Sequence, residues 1–513
     1  MGNIEYFKLD NNYNAEGMWA LKLEDLFEKQ SYKFSDRAMP GRLEISEGEI
    51  TLDINGCFNN FGSNFNNNYY YTIYGYLSSG LFVILKKCFI INSGFSVPGY
   101  QVEKYFANLA YVLNKAPMHS DYKIDKKIMA TKVNFKIDYL DDWYNIDLAE
   151  FDRTNNSERI VVQYRNDYFD NNKFEILDGK YIINLKRKIK RYQKEQIGAT
   201  VECEPYISIS TKNYQEEDVE TLMKIANDIL KLNDFLTQTH GRYTYFEFYL
   251  EDDISRERME KLENGDYKLH SPKYVGRMVF SQVLREAPKI RRNSLRLADV
   301  KNDYGKLIRT WFEKKDKLQY ITDLYHQNTN STLEIQSVLV NKIKMLETYY
   351  SNFLNDQEDT INKDAIIQDI KERINKWLNE SEIEESIKEE VNLRLESRNN
   401  KYITLREKLE ILLKKFPDKL KDVFSEMDPN WKEDTNFIFN FSRRLKDTRN
   451  FYTHGANDQR NKRRFKTTDE FLSASLVLDF VIYYFVLKAL YGEGQDSRIF
   501  ELPFLENGIK SNK

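Results

Sequence analysis

Arg449 and His454 stand five positions apart in the run Arg449-Asn450-Phe451-Tyr452-Thr453-His454-Gly455, near the end of a 513-residue chain that holds only five histidines. Arginine is a fixed cation whose forked guanidinium matches phosphate oxygens. Histidine both takes and gives a proton near neutral pH. Together the two could cleave a phosphodiester without a metal. The local charge suits that substrate: Arg443, Arg444, Lys446, Arg449, Arg460, Lys462, Arg463, Arg464 and Lys466 fall within 24 residues, against only Asp447 and Asp458. Such an excess supplies phosphate contacts and makes binding salt-dependent. Phe451, Tyr452 and Phe465 offer surfaces on which unpaired bases stack. A plainer reading stays open, in which His454 caps helix carbonyls and the cations form a solvated loop.

The elements around this run set a geometric condition. Phe437, Phe441, Leu445, Thr448 and Tyr452 recur at helical steps and predict the buried stripe of one helix. Arg449 falls about 80° from the centre of that stripe, where its stem can lie on a bundle and its head reach a cleft. His454 lies about 140° from Arg449 on a continuous helix, so the two converge on one phosphate only if the helix stops between them. Gly455, followed by Ala456-Asn457-Asp458, is the expected stop, with His454 in the turn.

Helical periodicity runs through the whole second half. Leu307, Trp311, Leu318, Ile321 and Leu324 begin it, followed by Ile335–Phe353, Ala365–Leu378, Ile383–Leu395, Leu405–Phe416, Thr435–Tyr452 and Asp469–Tyr491. Long helices in such number form a bundle. The acidic run Glu380–Glu390 reads as a solvated helix face. Leu472–Leu490 is nearly long enough to cross a bilayer, but Asp479 near its middle and Lys488 near its end favour a buried bundle helix.

The first half reads as strands. Leu43 and Ile45, then Ile50, Leu52 and Ile54, alternate on either side of Ser46-Glu47-Gly48-Glu49 as a hairpin does. Further strands are expected at Leu81–Ile91, Lys132–Tyr139, Arg159–Tyr164, Lys173–Leu177, Tyr181–Leu185, Val201–Ser210, Tyr243–Leu250 and Tyr274–Phe280. One helix interrupts them, carried by Val219, Leu222, Ile225, Ile229 and Leu232 after the acidic start Glu216-Glu217-Asp218. The fold class is therefore α+β: a mostly β domain over 1–295, a sandwich or open barrel, then a helical connector over 296–330, an all-α bundle over 331–495 and a tail over 496–513.

Composition narrows the function. A net charge of −3 excludes a polybasic nucleic-acid coat, so a nucleic-acid site must come from local clustering. Cys57, Cys88 and Cys203 lack metal-type spacing and suit a reducing cytoplasm. The N-terminus lacks the apolar core of a signal peptide. His119, His240, His270 and His326 are scattered, with no second histidine at ligand spacing, so neither a metal nor another cofactor is expected. Asp141 and Asp142 beside Trp143 read as turn residues. The asparagine-rich tract from Asn55 to Tyr71 reads as a loop leading into a strand. No Gly-rich phosphate loop with Lys and Ser/Thr appears, which disfavours a nucleoside-triphosphate motor, and no G-x-S-x-G stretch supports a serine hydrolase.

The second half resembles the higher eukaryotes and prokaryotes nucleotide-binding (HEPN) superfamily. Arg449-Asn450 with His454, at the end of the penultimate long helix and before an apolar final helix, is similar to the motif of its ribonuclease members. The first half resembles the ApeA type of anti-phage defence protein through Glu16-Gly17-Met18-Trp19, Pro40-Gly41-Arg42-Leu43, the hairpin Gly48–Gly56 and Leu140-Asp141-Asp142-Trp143. One departure stands at Asn114–His119, where such domains often show a Gly-x-His segment. The resemblance implies metal-independent cleavage of tRNA or another cellular RNA, leaving a 2′,3′-cyclic phosphate, in a cytoplasmic abortive-infection nuclease. Arg449 would stabilise phosphoryl charge, His454 would act as general base or acid, and Asn450 would orient one of them. Arg443, Arg444, Lys446, Tyr452, Arg460, Lys462, Arg463, Arg464 and Lys466 would bind RNA. A homodimer through the bundle, control by the β domain and a phage-derived trigger complete the expectation, with no stable membrane association. Two alternatives are a catalytically silent HEPN scaffold that binds RNA or protein, and a membrane-associated signalling protein anchored by Leu472–Leu490.

Overall fold

A computed structural model of the chain describes residues 11–28, 33–58, 70–96, 100–114, 127–144, 149–153, 160–164, 172–194, 198–250, 260–261, 267–268, 275–282, 290, 294–330, 333–354, 359–397, 403–455 and 463–503. Two compact units divide it, Met1–Arg309 and Thr310–Lys513.

The first unit begins with six strands that close on themselves. β1 (Tyr13–Ala20), β2 (Met39–Ser46), β3 (Glu49–Ile54), β4 (Tyr71–Leu77), β5 (Phe82–Ser96) and β6 (Tyr100–Leu113) pair antiparallel in the order β6-β3-β2-β1-β4-β5, and β5 returns to β6. The expected hairpin is β2–β3: Ser46 pairs with Glu49 across a two-residue turn in which Glu47 (φ 52) and Gly48 (φ 82) are both left-handed. That turn type matches the twist of the flanking strands. Trp19 is fully buried in the barrel. Its indole needs space that only glycine leaves, since a Cβ on Gly75 would come within 2.2 Å of the ring. Gly17, Trp19, Pro40 and Gly41 therefore belong to one register, with Gly17 opposite Gly41 and Met18 opposite Pro40.

The sheet continues beyond the barrel. β7 (Lys132–Ile137), β8 (Lys173–Ile176), β9 (Tyr181–Lys194), β10 (Gly198–Thr211), β11 (Tyr243–Tyr249) and β12 (Val275–Phe280) extend it in the order β8-β9-β10-β7-β11-β12-β6. One edge of β6 is shared, with Glu103–Ala107 paired to β3 and Leu109–Leu113 paired to β12. Alternation along β7 separates Val133, Phe135 and Ile137 from Lys132, Asn134 and Lys136. The polar side carries a network in which Tyr249 donates to Glu247, Arg277 pairs with Glu247 at 3.3 Å and Asn134 Nδ2 donates to the Tyr249 hydroxyl at 2.9 Å. The expected strand near Arg159–Tyr164 is present as Ile160–Tyr164 and pairs with Ala149–Arg153.

Two helices join this unit's sheet. α1 (Leu140–Tyr144) turns Trp143 into the core, where its ring meets Tyr304 edge-on at 5.1 Å, and Asp141 pairs with Lys136 at 2.8 Å. α2 (Val219–Thr237) packs on β7, and Asp218 caps it by accepting from the Glu220 amide at 3.0 Å. Val219, Leu222, Ile225, Ile229 and Leu232 are all buried, as their spacing predicts.

The division between the units falls inside α3 (Tyr304–Asn330). The second unit continues with α4 (Ile335–Phe353), α5 (Asp359–Glu380), α6 (Glu385–Ser397), α7 (Leu405–Lys415), α8 (Phe437–His454), α9 (Thr468–Tyr491) and α10 (Asp496–Phe500). α4 touches α7, α8 and α9. A 3-10 segment, Asp418–Glu426, brings Phe424 against Phe437 with ring centroids 5.4 Å apart. The apolar α9 is buried on nearly every side, the pattern of a core helix. It is the one helix among the described residues long and apolar enough to cross a membrane, and 72 % of that stretch is buried. Asp479 in its middle pairs with Lys342 of α4 at 2.7 Å, and Lys342 also donates to Ser475 Oγ at 2.6 Å. The observed architecture is thus a β region with a six-stranded barrel followed by a helical region.

Candidate functional site

α8 brings the candidate residues together. Phe437, Phe441, Leu445 and Thr448 are buried, as the helical stripe predicts, while Tyr452 is 43 % exposed. Tyr452 sits in the final turn, where its ring meets Phe471 at 5.8 Å and its neighbour Phe451 at 5.1 Å, both edge-on. The helix does not stop before the histidine. Its last residue is His454, and Gly455 (φ 62) is the left-handed cap whose amide donates to Phe451 O at 2.9 Å. Backbone hydrogen bonding carries the helix to the first residue that takes positive φ without strain. Arg449 and His454 therefore lie about 140° apart around one helix. His454 is exposed at its end.

Arg449 is half-buried on the α4 side. Its Nη1 donates to Asn450 Oδ1 at 3.3 Å, and its Nη2 stands 3.6 Å from the Glu347 carboxylate of α4. Its Nε is buried with no hydrogen-bond partner among the described residues. The guanidinium is thus tethered at both outer nitrogens and retains an unused donor. Asp447 is buried one turn before Asn450, with Lys446 Nζ 3.2 Å from its carboxylate.

The basic residues divide by task. Arg444 pairs with Glu470, donates through Nε to Arg463 O at 3.3 Å and lies 4.3 Å over the Phe465 ring. Arg464 lies 4.0 Å over Phe451. Arg443 and Lys446 are half-exposed on α8, and Arg463 and Lys466 are exposed on the segment leading to α9. Arg460 and Lys462 lie outside the described residues. Phe465 is not a stacking surface: it is fully buried, because its amide donates to Thr448 Oγ1 at 3.0 Å and Arg444 covers its ring.

Glu347 and Glu470 escaped the reading of residue spacing. Glu347 carries no local signal, since its partner lies a hundred positions away. Glu470 does carry one, as the third residue after Thr467 in a capping box. It accepts from the Lys466 amide at 2.8 Å and the Thr467 amide at 3.2 Å. Burial pushes its carboxyl up, but the Lys466 amide, the Arg444 guanidinium and the Thr467 amide outweigh that and hold it below the usual range.

Elsewhere, His240 Nδ1 lies 3.3 Å from buried Asp234, which also accepts from the Tyr139 hydroxyl at 2.7 Å and the Gly241 amide at 3.0 Å. His119 and His270 lie outside the described residues, as does most of the asparagine-rich tract.

Residues 340–494, which enclose α8 and α9, match the family described as Apea-like HEPN. The helical region is an HEPN domain. Residues 16–311, more than half of the chain, match ApeA N-terminal domain 1, and the chain belongs to the ApeA family. No curated protein and no solved structure matched.

Proposed function

We propose that the protein is a defence endoribonuclease whose HEPN domain cuts tRNA or another cellular RNA without a metal, under the control of the β domain. The observation that carries this reading is the placement of Arg449, Asn450 and His454 on the last two turns of α8, inside an Apea-like HEPN domain. In the proposed reaction the ribose 2′-hydroxyl attacks the adjacent phosphorus and the P–O5′ bond breaks. The products are a 2′,3′-cyclic phosphate and a free 5′-hydroxyl. His454 takes the 2′-hydroxyl proton or returns one to the leaving oxygen. Arg449 stabilises the charge that grows on the phosphoryl oxygens, and Asn450 steadies its guanidinium. Because α8 continues through His454, the two groups face different directions in one chain. A homodimer through the bundle, with both motifs on one cleft, brings an arginine and a histidine to the same phosphate without unwinding α8.

Arg449→Ala and His454→Ala are expected to lower RNA cleavage by about 10²–10⁴-fold each and to abolish protection from phage. Cleavage by the parent protein is expected to persist in EDTA. Full activity in both variants refutes the catalytic assignment, and strict dependence on Mg²⁺ refutes the metal-free route. One observation favours a second reading, a silent scaffold that binds RNA or protein: the Glu347 carboxylate already offers Arg449 a counter-charge. Under that reading the purified protein binds RNA and leaves it intact.

A further inference from the structure

The segment Arg463–Lys466, which leads into α9, is fastened to α8 by contacts that use two of the nine clustered cations. Arg444 is occupied at Nη2, at Nε and on one face, by Glu470, Arg463 O and Phe465. Glu470 also holds the end of the segment by accepting from the Lys466 and Thr467 amides. Thr448 Oγ1 holds the Phe465 amide, and Arg464 closes over Phe451. These anchors span Arg444 to Phe451, roughly 10 Å of helix at 1.5 Å per residue. Phe451 lies about 60° round the helix from His454, so the fastened segment runs on the histidine side of α8. Arg463 and Lys466, which it carries, remain exposed.

We propose that Arg444 and Glu470 are a positioning pair: they lay the segment Arg463–Lys466 along α8 so that Arg463 and Lys466 contact phosphates of a single-stranded RNA running past His454. This rests on the ribonuclease reading for its substrate, but its own readout is binding. A carboxylate beside a polyanion ordinarily weakens binding, so removing Glu470 tightens it if Arg444 is itself a phosphate ligand. If Arg444 instead positions the segment, removing Glu470 weakens binding.

The test uses the full chain and an uncleavable 2′-O-methyl single-stranded oligoribonucleotide, with affinity measured across salt concentrations. Glu470→Gln keeps an oxygen for the two backbone amides while deleting the charge that holds Arg444. Glu470→Gln and Arg444→Gln are each expected to weaken binding about tenfold. Each should also flatten the log K against log salt slope by about 1.4, the share of two phosphates on a single strand. The double variant should bind no worse than either single one, and Arg463→Ala with Lys466→Ala should reproduce the slope. Unchanged or tighter binding by Glu470→Gln overturns the proposal, as does a lower melting temperature with an unaltered salt slope. A parent protein that binds RNA but leaves it intact removes the nuclease reading alone, because the pair is judged by binding.

Discussion

Single side chains at the site are legible in proportion to how locally they act. Arg449, Asn450 and His454 announce themselves by type and spacing, and Gly455 by its capping role. What spacing misjudged was the helix end, because a cap glycine directly after the histidine lets the helix include it. Glu347 was invisible, since only tertiary packing of α4 on α8 brings it to Arg449. Asp234 is similar: nothing around it in the chain marks it as fully buried, yet three groups converge on it. Burial pushes its carboxyl up to about 6, against the lowering effects of His240, Tyr139 and the Gly241 amide. The folded protein therefore holds a proton that the unfolded chain releases near pH 4. This group's contribution to stability is complete below pH 4 and is lost as pH rises through 6, by about 3 kcal/mol. Asp234→Asn is expected to remove that part of the decline in melting temperature between pH 4 and 6, and an unchanged profile would exclude Asp234 as its source.

At the scale of elements, long helices were readable almost to the residue, as Ile335–Phe353 shows by its stripe against α4 and Asp469–Tyr491 by its almost unbroken apolar run against α9. β6 was missed. Val102, Phe106, Leu109 and Leu113 fall at helical spacing and mask the two-residue period of a strand. β1 escaped because Gly17, which makes room in the barrel, interrupts its apolar alternation, whereas β4 is the strand expected to follow the asparagine-rich tract. Asp479 pointed to a buried bundle helix, and most of α9 is buried, although the partner Lys342 could not be foreseen. That pair is asymmetric: the Lys342 side chain is 10 % exposed and that of Asp479 44 %. Deleting the carboxylate strands the buried cation with Ser475, whereas deleting the amine leaves a carboxylate that water can reach. Asp479→Ala is expected to cost about 2 kcal/mol and Lys342→Met less than about 1 kcal/mol by urea unfolding. The reverse order would show that the lysine is not the partner needing compensation.

Across the whole molecule, the order β-region then HEPN domain follows the ApeA family. The point where the open sheet meets the barrel is β6, whose one edge serves β3 and β12 in turn while its other serves β5. Amides in the middle of β6 can exchange with solvent only when several strands part together. Hydrogen exchange is expected to be slowest around Ala107–Leu113, and comparable rates in β8 at the sheet margin would contradict this. A shared strand also has a genealogical consequence. A gene fragment ending after Leu113 would carry a barrel whose β6 has lost its β12 neighbour along Leu109–Leu113, and one starting there would hold β12 with that edge unpaired. The barrel and the open sheet are therefore tied as a single heritable piece, free to diversify in their loops but not to be traded separately between proteins.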